Sequence, residues 1–182
     1  MDIIGIDPGT DGSISILWQS EIGDKPPRIS WVLSFKDPEW KSKLNSLLTC
    51  HNHSGIPFYM ERVHSKRGNG VKGTWTFAEN YGALKTILEM HGVKWIDLEP
   101  NTWMLALGLP KHRNIIDSRK RREARRKSQE AWALQLFPNL AHESGDVFAS
   151  ALIAYSQVVK DWPQAKKIEQ ALRLNGGQLN AD

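Results

Sequence analysis

The 182 residues, 40% of them hydrophobic, suffice for one domain with a sizeable core. No apolar run reaches membrane-spanning length and no signal-peptide pattern opens the chain, so a soluble intracellular protein with no membrane association is expected. The net charge of +4 is unevenly spread: nine Lys/Arg stand against two acids between Lys111 and Lys127, a local +7 that leaves −3 elsewhere.

Taken in order, Asp2–Asp7 reads as a core strand, with Asp11-Gly12 marking a tight turn. Ile14, Ile16 and Trp18 then alternate with polar neighbours, and after Pro26-Pro27 the residues Ile29, Trp31, Leu33 and Phe35 alternate again. These three segments predict an antiparallel meander. A helix is expected from about Asp37-Pro38, with Pro38 in its first turn and Trp40, Leu44, Leu47 and Leu48 on its apolar face. Ile56–Val63 is the fourth strand, and Ser65–Gly73, rich in Gly and Lys/Arg, is expected to be a mobile loop. Thr74–His91 reads as a helix, Val93–Leu98 as a fifth strand and Pro100–Leu107 as a short helix. Ser118 or Ser128 can cap a further helix that Pro138 stops, and a last helix is expected over about Gly145–Asp161.

This order suits a mixed five-stranded sheet, three antiparallel strands and then parallel additions, with helices on both faces. A single domain is expected over residues 1–161, followed by a frayed tail over 162–182.

Four acids punctuate that plan. Asp7 ends the first strand and Glu61 the fourth, while Glu143 and Asp146 stand three apart at the expected start of the last helix. That spacing would point both in one direction from a helix's first turn. Acids at the ends of buried elements lose solvation, and a divalent cation is the simplest compensation. Each has a plainer use: Asp7 can shape a turn, Glu61 can pair with Arg62 or Lys66, and the last two can answer a helix dipole. Cys50-His51-Asn52-His53 lacks the second Cys/His pair of a structural zinc site, and a lone cysteine excludes an internal disulfide.

The basic segment, with Arg119, Lys120, Arg121, Arg122, Arg125 and Arg126, is the kind of patch that meets phosphate without reading sequence. A solvated helix face is the ordinary alternative. His64, Lys66, Arg67 and Lys72 follow Glu61 closely and are expected to contact nucleic acid, and Trp75 can stack on bases.

Gly5-Ile6-Asp7-Pro8-Gly9, Glu61-Arg62-Val63, Lys127-Ser128-Gln129 and Glu143-Ser144-Gly145-Asp146 ahead of Ala149–Ala154, in this order, resemble the RuvC-type Holliday junction resolvases of the ribonuclease-H-like superfamily. The His64 loop, Tyr81-Gly82 and Trp103 with Leu107-Gly108-Leu109 are more similar to the divergent chloroplast and phage-type members. The resemblance covers about residues 1–159. It implies a Mg²⁺-dependent endodeoxyribonuclease acting as a homodimer on branched DNA, above all four-way junctions, and nicking two opposed strands. Asp7, Glu61, Glu143 and Asp146 become the metal ligands, and Lys127 a catalytic cation at the scissile phosphate. Two Mg²⁺, replaceable by Mn²⁺, are implied in each site, in a bacterial or phage-infected cytoplasm or an organelle matrix. The chain departs from the pattern in having Glu143 where many bacterial members have Asp. Met104 and Leu105 stand where relatives often carry lysine.

Phosphodiester hydrolysis independently calls for carboxylates, because two Mg²⁺ about 4 Å apart can activate water and stabilise both oxygens of the displacement. Three competing readings remain open. The first is a non-catalytic branched-nucleic-acid-binding protein. The second is another nuclease of the superfamily, acting on hybrids or flaps. The third is a phosphate-binding enzyme like the actin-like sugar kinases, which Asp7–Ser13 resembles but which need a second such domain.

Overall fold

A computed structural model describes residues 2–19, 27–50, 53, 55–62, 71–143, 145 and 147–159, without the side chains of 71, 72 and 159. The strands are β1 (Asp2–Asp7), β2 (Ser13–Trp18), β3 (Arg28–Ser34), β4 (Phe58–Glu61) and β5 (Trp95–Leu98). The helices are α1 (Trp40–Cys50), α2 (Val71–Met90), α3 (Pro100–Ala106), α4 (Ser118–Leu136) and α5 (Val147–Val159), with a 3₁₀ turn over Pro138–His142. The sheet order is β3-β2-β1-β4-β5. β1 pairs antiparallel with β2 and β2 with β3, whereas β1–β4 and β4–β5 are parallel. This is the mixed sheet the sequence predicts.

Strand alternation sorts the core into two layers, since successive side chains leave opposite faces. Ile4, Ile6, Ile14, Leu33, Phe58 and Met60 meet Leu44 and Leu48 of α1 and Leu84 and Leu88 of α2. On the other face Ile3, Leu17 and Ile29 pack with residues of α3, α4 and α5. α5 is deeply buried, with Ala151, Leu152, Ile153 and Ala154 all at 0% exposure, in keeping with its largely apolar sequence.

Gly5 sets how closely α5 crosses β1. A Cβ there would lie 2.1 Å from the Ser150 carbonyl oxygen and 2.6 Å from the Ala154 nitrogen. The helix is also tied to the hairpin by buried hydroxyls. Ser150 Oγ lies 2.8 Å from Ser13 Oγ and 2.6 Å from Ser15 Oγ, and donates to the Val147 carbonyl at 3.0 Å. One hydroxyl has one proton and two lone pairs, so Ser150 accepts from both hairpin serines.

Four expectations need correction. α1 begins at Trp40, because residues 35–39 form a turn in which Asp37 accepts from Glu39 N at 2.8 Å, so Pro38 lies outside the helix. α2 begins at Val71, placing Lys72 and Gly73 in a helix rather than a loop. β4 and β5 are shorter than predicted, at four residues each. α5 starts at Val147, and Glu143 precedes it in extended backbone (φ −89°, ψ 157°) at the end of the 3₁₀ turn. Glu143 therefore does not stand in a helical first turn, and Asp146 lies outside the described residues. Residues 162–182 lie outside the described residues. No helix among the described residues is long and apolar enough to cross a membrane.

Candidate active site

Alternation and register bring the first two acids together. On β1, Ile4 and Ile6 face the α1/α2 layer, so Ile3, Gly5 and Asp7 face α5. On β4, Phe58 and Met60 face α1/α2, so Tyr59 and Glu61 face α5. Parallel pairing matches Ile4 with Phe58, Gly5 with Tyr59 and Ile6 with Met60. The next step sets Asp7 beside Glu61, on adjacent strands about 4.8 Å apart. Both close their strands at the same edge, where open α/β sheets bind ligands beyond the carboxyl ends of the strands.

Each acid is held by a defined donor. Asp7 Oδ1 accepts from Gly9 N at 3.0 Å, so the plain turn-shaping reading of this residue is correct as far as it goes. A carboxylate offers about four lone-pair sites, so one turn bond does not exhaust it. Gly12 closes the same turn: a Cβ there would sit 2.1 Å from the Asp7 carbonyl oxygen. Glu61 Oε2 accepts from Trp103 Nε1 at 3.2 Å, and Trp103 is itself 1% exposed. Arg62 turns away from Glu61, its guanidinium lying 3.3 Å from Glu99 Oε1.

The third and fourth acids stand differently. Ser13 pairs across from Asp7, and its link to Ser150 fixes the start of α5 at the Asp7 end of the sheet. Glu143 closes the 3₁₀ turn four residues before α5 and is exposed. Asp146 lies outside the described residues, as do His64, Lys66 and Arg67 and the side chain of Lys72. Among the described residues no group of three or more His, Cys, Asp or Glu is close enough to hold a metal ion. Asp7 and Glu61 are thus a pair of hard oxygen donors on one face, whose chemistry fits Mg²⁺ or Mn²⁺.

α4 carries the basic residues on two faces. Arg119, Lys120, Arg122, Arg126 and Lys127 are exposed. Arg121 instead donates from Nε to the Ile115 carbonyl at 2.7 Å and from Nη2 to Ile116 O at 3.2 Å, and Arg125 is half-buried. Lys127 places its ammonium 3.2 Å from Glu123, while Ser128 bonds His112 at 2.8 Å. The Arg126 guanidinium lies 3.2 Å from where a Cβ on Gly145 would be, so the basic face borders the segment that carries Glu143. Trp75 on α2 is 74% exposed.

Sequence reasoning gave no role to the Trp103 indole, the serine hub or the Arg121 clamp. The signal for the hub is a run of small residues, Gly5, Ser13, Ser15 and Ser150, at inward positions. A cavity of about 840 Å³ lies at the far pole and is lined by Cys50, His53, His91 and Lys94 among others. There His53 bonds the His91 carbonyl at 3.1 Å and His91 bonds Asn45 at 3.0 Å. The acids sit apart from it, at the carboxyl ends of β1 and β4.

The chain has the α/β fold of RuvC, with its mixed five-stranded sheet. RuvC of Thermus thermophilus superposes with a TM-score of 0.56 at 15% identity, covering 87% of this chain and 94% of that one. The same protein in complex with a Holliday junction substrate gives 0.54 at 15%, with the same coverage. The yeast mitochondrial Holliday junction resolvase Ydc2 aligns at 17% identity over 94% of this chain and 83% of its own, with a TM-score of 0.45. No family model and no curated protein matches the sequence.

Proposed function

We propose that this protein is a structure-selective endonuclease that resolves four-way DNA junctions by nicking two opposed strands. The observation that carries the reading is that Asp7 and Glu61 end neighbouring parallel strands on the α5 side, one residue past the paired Ile6 and Met60, while the cationic α4 packs on α5. A protein of this fold has been captured on a Holliday junction, which supports the choice of substrate.

Asp7 and Glu61 would hold the divalent ions, with Glu143 and Asp146 completing the set. When bound, two Mg²⁺, or Mn²⁺ in their place, supply an activated water and neutralise charge on the phosphate under attack. The chain's own contribution is orientation. The turn at Gly9 fixes the Asp7 carboxylate, and the Trp103 N–H fixes that of Glu61. The exposed cations of α4 hold the phosphates of a DNA arm, and Lys127 exchanges Glu123 for the scissile phosphate. His64, Lys66, Arg67, Lys72 and Trp75 follow the second acid and contact the branch. Symmetric nicking of opposed strands needs two sites related by a twofold axis, so the working form is a homodimer.

The test is a substrate panel: a synthetic four-way junction, a linear duplex, a flap and an RNA–DNA hybrid, each with Mg²⁺. Paired nicks confined to the junction are expected. Cutting only of the hybrid or flap would assign another nuclease activity, and tight junction binding without a cut would leave a binding protein.

A further inference from the structure

Ile116 is 92% exposed, more than Trp75, Met90, Ile96 or Leu105, and it sits at the tip of the segment leading into α4. Scattered surface apolar residues are ordinary, so exposure alone says little. Its setting distinguishes it. Lys111, Arg113, Arg119 and Lys120 flank it in the chain, all exposed.

The tip is also pinned. Arg121 holds the carbonyls of Ile115 and Ile116 with two guanidinium bonds, at 2.7 and 3.2 Å. Ile115 N bonds His112 O at 3.2 Å, and Asp117 caps α4 through Lys120 N at 2.8 Å. His112 takes a positive φ of 47°, a conformation non-glycine residues rarely adopt, and its ring is anchored on Ser128 at 2.8 Å. An apolar side chain presented on so many bonds loses little freedom on binding.

The tip also lies on the acid side of the fold. Leu136 at the far end of α4 lies with Trp18 and Arg28, at the pole opposite Asp7. Gln129 reaches Met104 of α3, and Arg126 reaches Gly145 just ahead of α5. The eight residues 118–125 therefore continue for up to about 12 Å on the acid side, at 1.5 Å per residue.

We propose that Ile116 is a wedge that enters between stacked bases of the DNA lying over the acids, while the surrounding cations hold that arm's phosphates. Apolar wedges ringed by cations are how proteins unstack and kink a duplex, and branched DNA offers the most easily opened steps at its crossover. The inference rests on the DNA-junction reading above.

The experiment uses the full chain and a four-way junction carrying 2-aminopurine beside the crossover, without divalent ion so that nothing is cut. Fluorescence and affinity are read across a salt series for wild type, Ile116→Ala and Ile116→Leu. Wild type should raise the fluorescence on binding. Ile116→Ala should lose that rise and bind about tenfold more weakly at every salt concentration with an unchanged salt slope, because a wedge releases no counterions. Ile116→Leu should restore both. An Ile116→Ala protein with wild-type fluorescence and affinity overturns the wedge while leaving the nuclease reading intact. A flattened salt slope, or dissociation to monomer in sedimentation, overturns it in favour of a displaced patch or a copy-to-copy contact. Failure of wild type to bind any junction removes the function reading itself, and the wedge with it.

Discussion

The indole N–H of Trp103 reaches Glu61 Oε2 at 3.2 Å from a side chain that is almost wholly buried, so a core residue of α3 orients an acid of β4. Trp103→Phe keeps an aromatic ring in the core and removes only the donor. Cleavage should fall by about 10–100-fold, the usual effect of losing a partner that orients a ligand. Junction affinity in the absence of divalent ions should stay at the wild-type level. Raising the Mg²⁺ concentration should recover part of the rate, and a rate insensitive to the substitution would remove Trp103 from the site.

The hydroxyl hub makes a separate statement about stability. Ser150→Ala withdraws the acceptor shared by Ser13 and Ser15 in a region at 0% exposure, and should cost about 1–3 kcal/mol in denaturant unfolding. An unchanged midpoint would mean that other contacts fully satisfy the hairpin serines.

Gly5→Ala should be at least as harmful, near the upper end of about 1–3 kcal/mol for overpacking, because the new methyl meets backbone atoms of α5 that cannot rotate aside. Thermal unfolding followed by circular dichroism measures it. Since α5 also positions the segment bearing Glu143, any folded fraction should cleave more slowly than its folded population accounts for.

The cations of α4 divide by geometry. Neutralising Arg119, Lys120, Arg122 and Arg126 should weaken junction binding and lower the slope of log K against log salt by about 0.9 for each phosphate the protein no longer neutralises. Arg121→Ala should leave that slope nearly unchanged, because Arg121 is committed to the Ile115 and Ile116 carbonyls. Equal slope changes for Arg121 and Arg122 would contradict this division.

How much of the fold and the site is legible in the chain follows from what periodicity encodes. The sheet and its layers are readable because Ile4, Ile6, Ile14 and Leu33 occupy one set of alternating positions, and alternation directly reports face. The convergence of Asp7 and Glu61 follows from the same pattern, as each closes a strand on the α5 side. Helix starts are less visible. Pro38 suits a first turn, yet Asp37 folds its own turn and delays α1 to Trp40. Glu143 falls outside α5 because the Pro138–His142 turn carries it into extended backbone. Roles that depend on contacts remote in sequence, such as Trp103 to Glu61 or Ser150 to Ser13, leave no local trace in composition or spacing.

The most direct test of the nuclease reading is Mg²⁺-dependent nicking of a synthetic four-way junction by wild type and Asp7→Asn, with cut positions mapped on all four strands. Asp7→Asn keeps the shape of the residue and removes its charge. Wild type should give paired nicks in opposed strands, and Asp7→Asn none despite undiminished junction binding. Cleavage by Asp7→Asn at the wild-type rate would contradict the assignment of this carboxylate to the metal site.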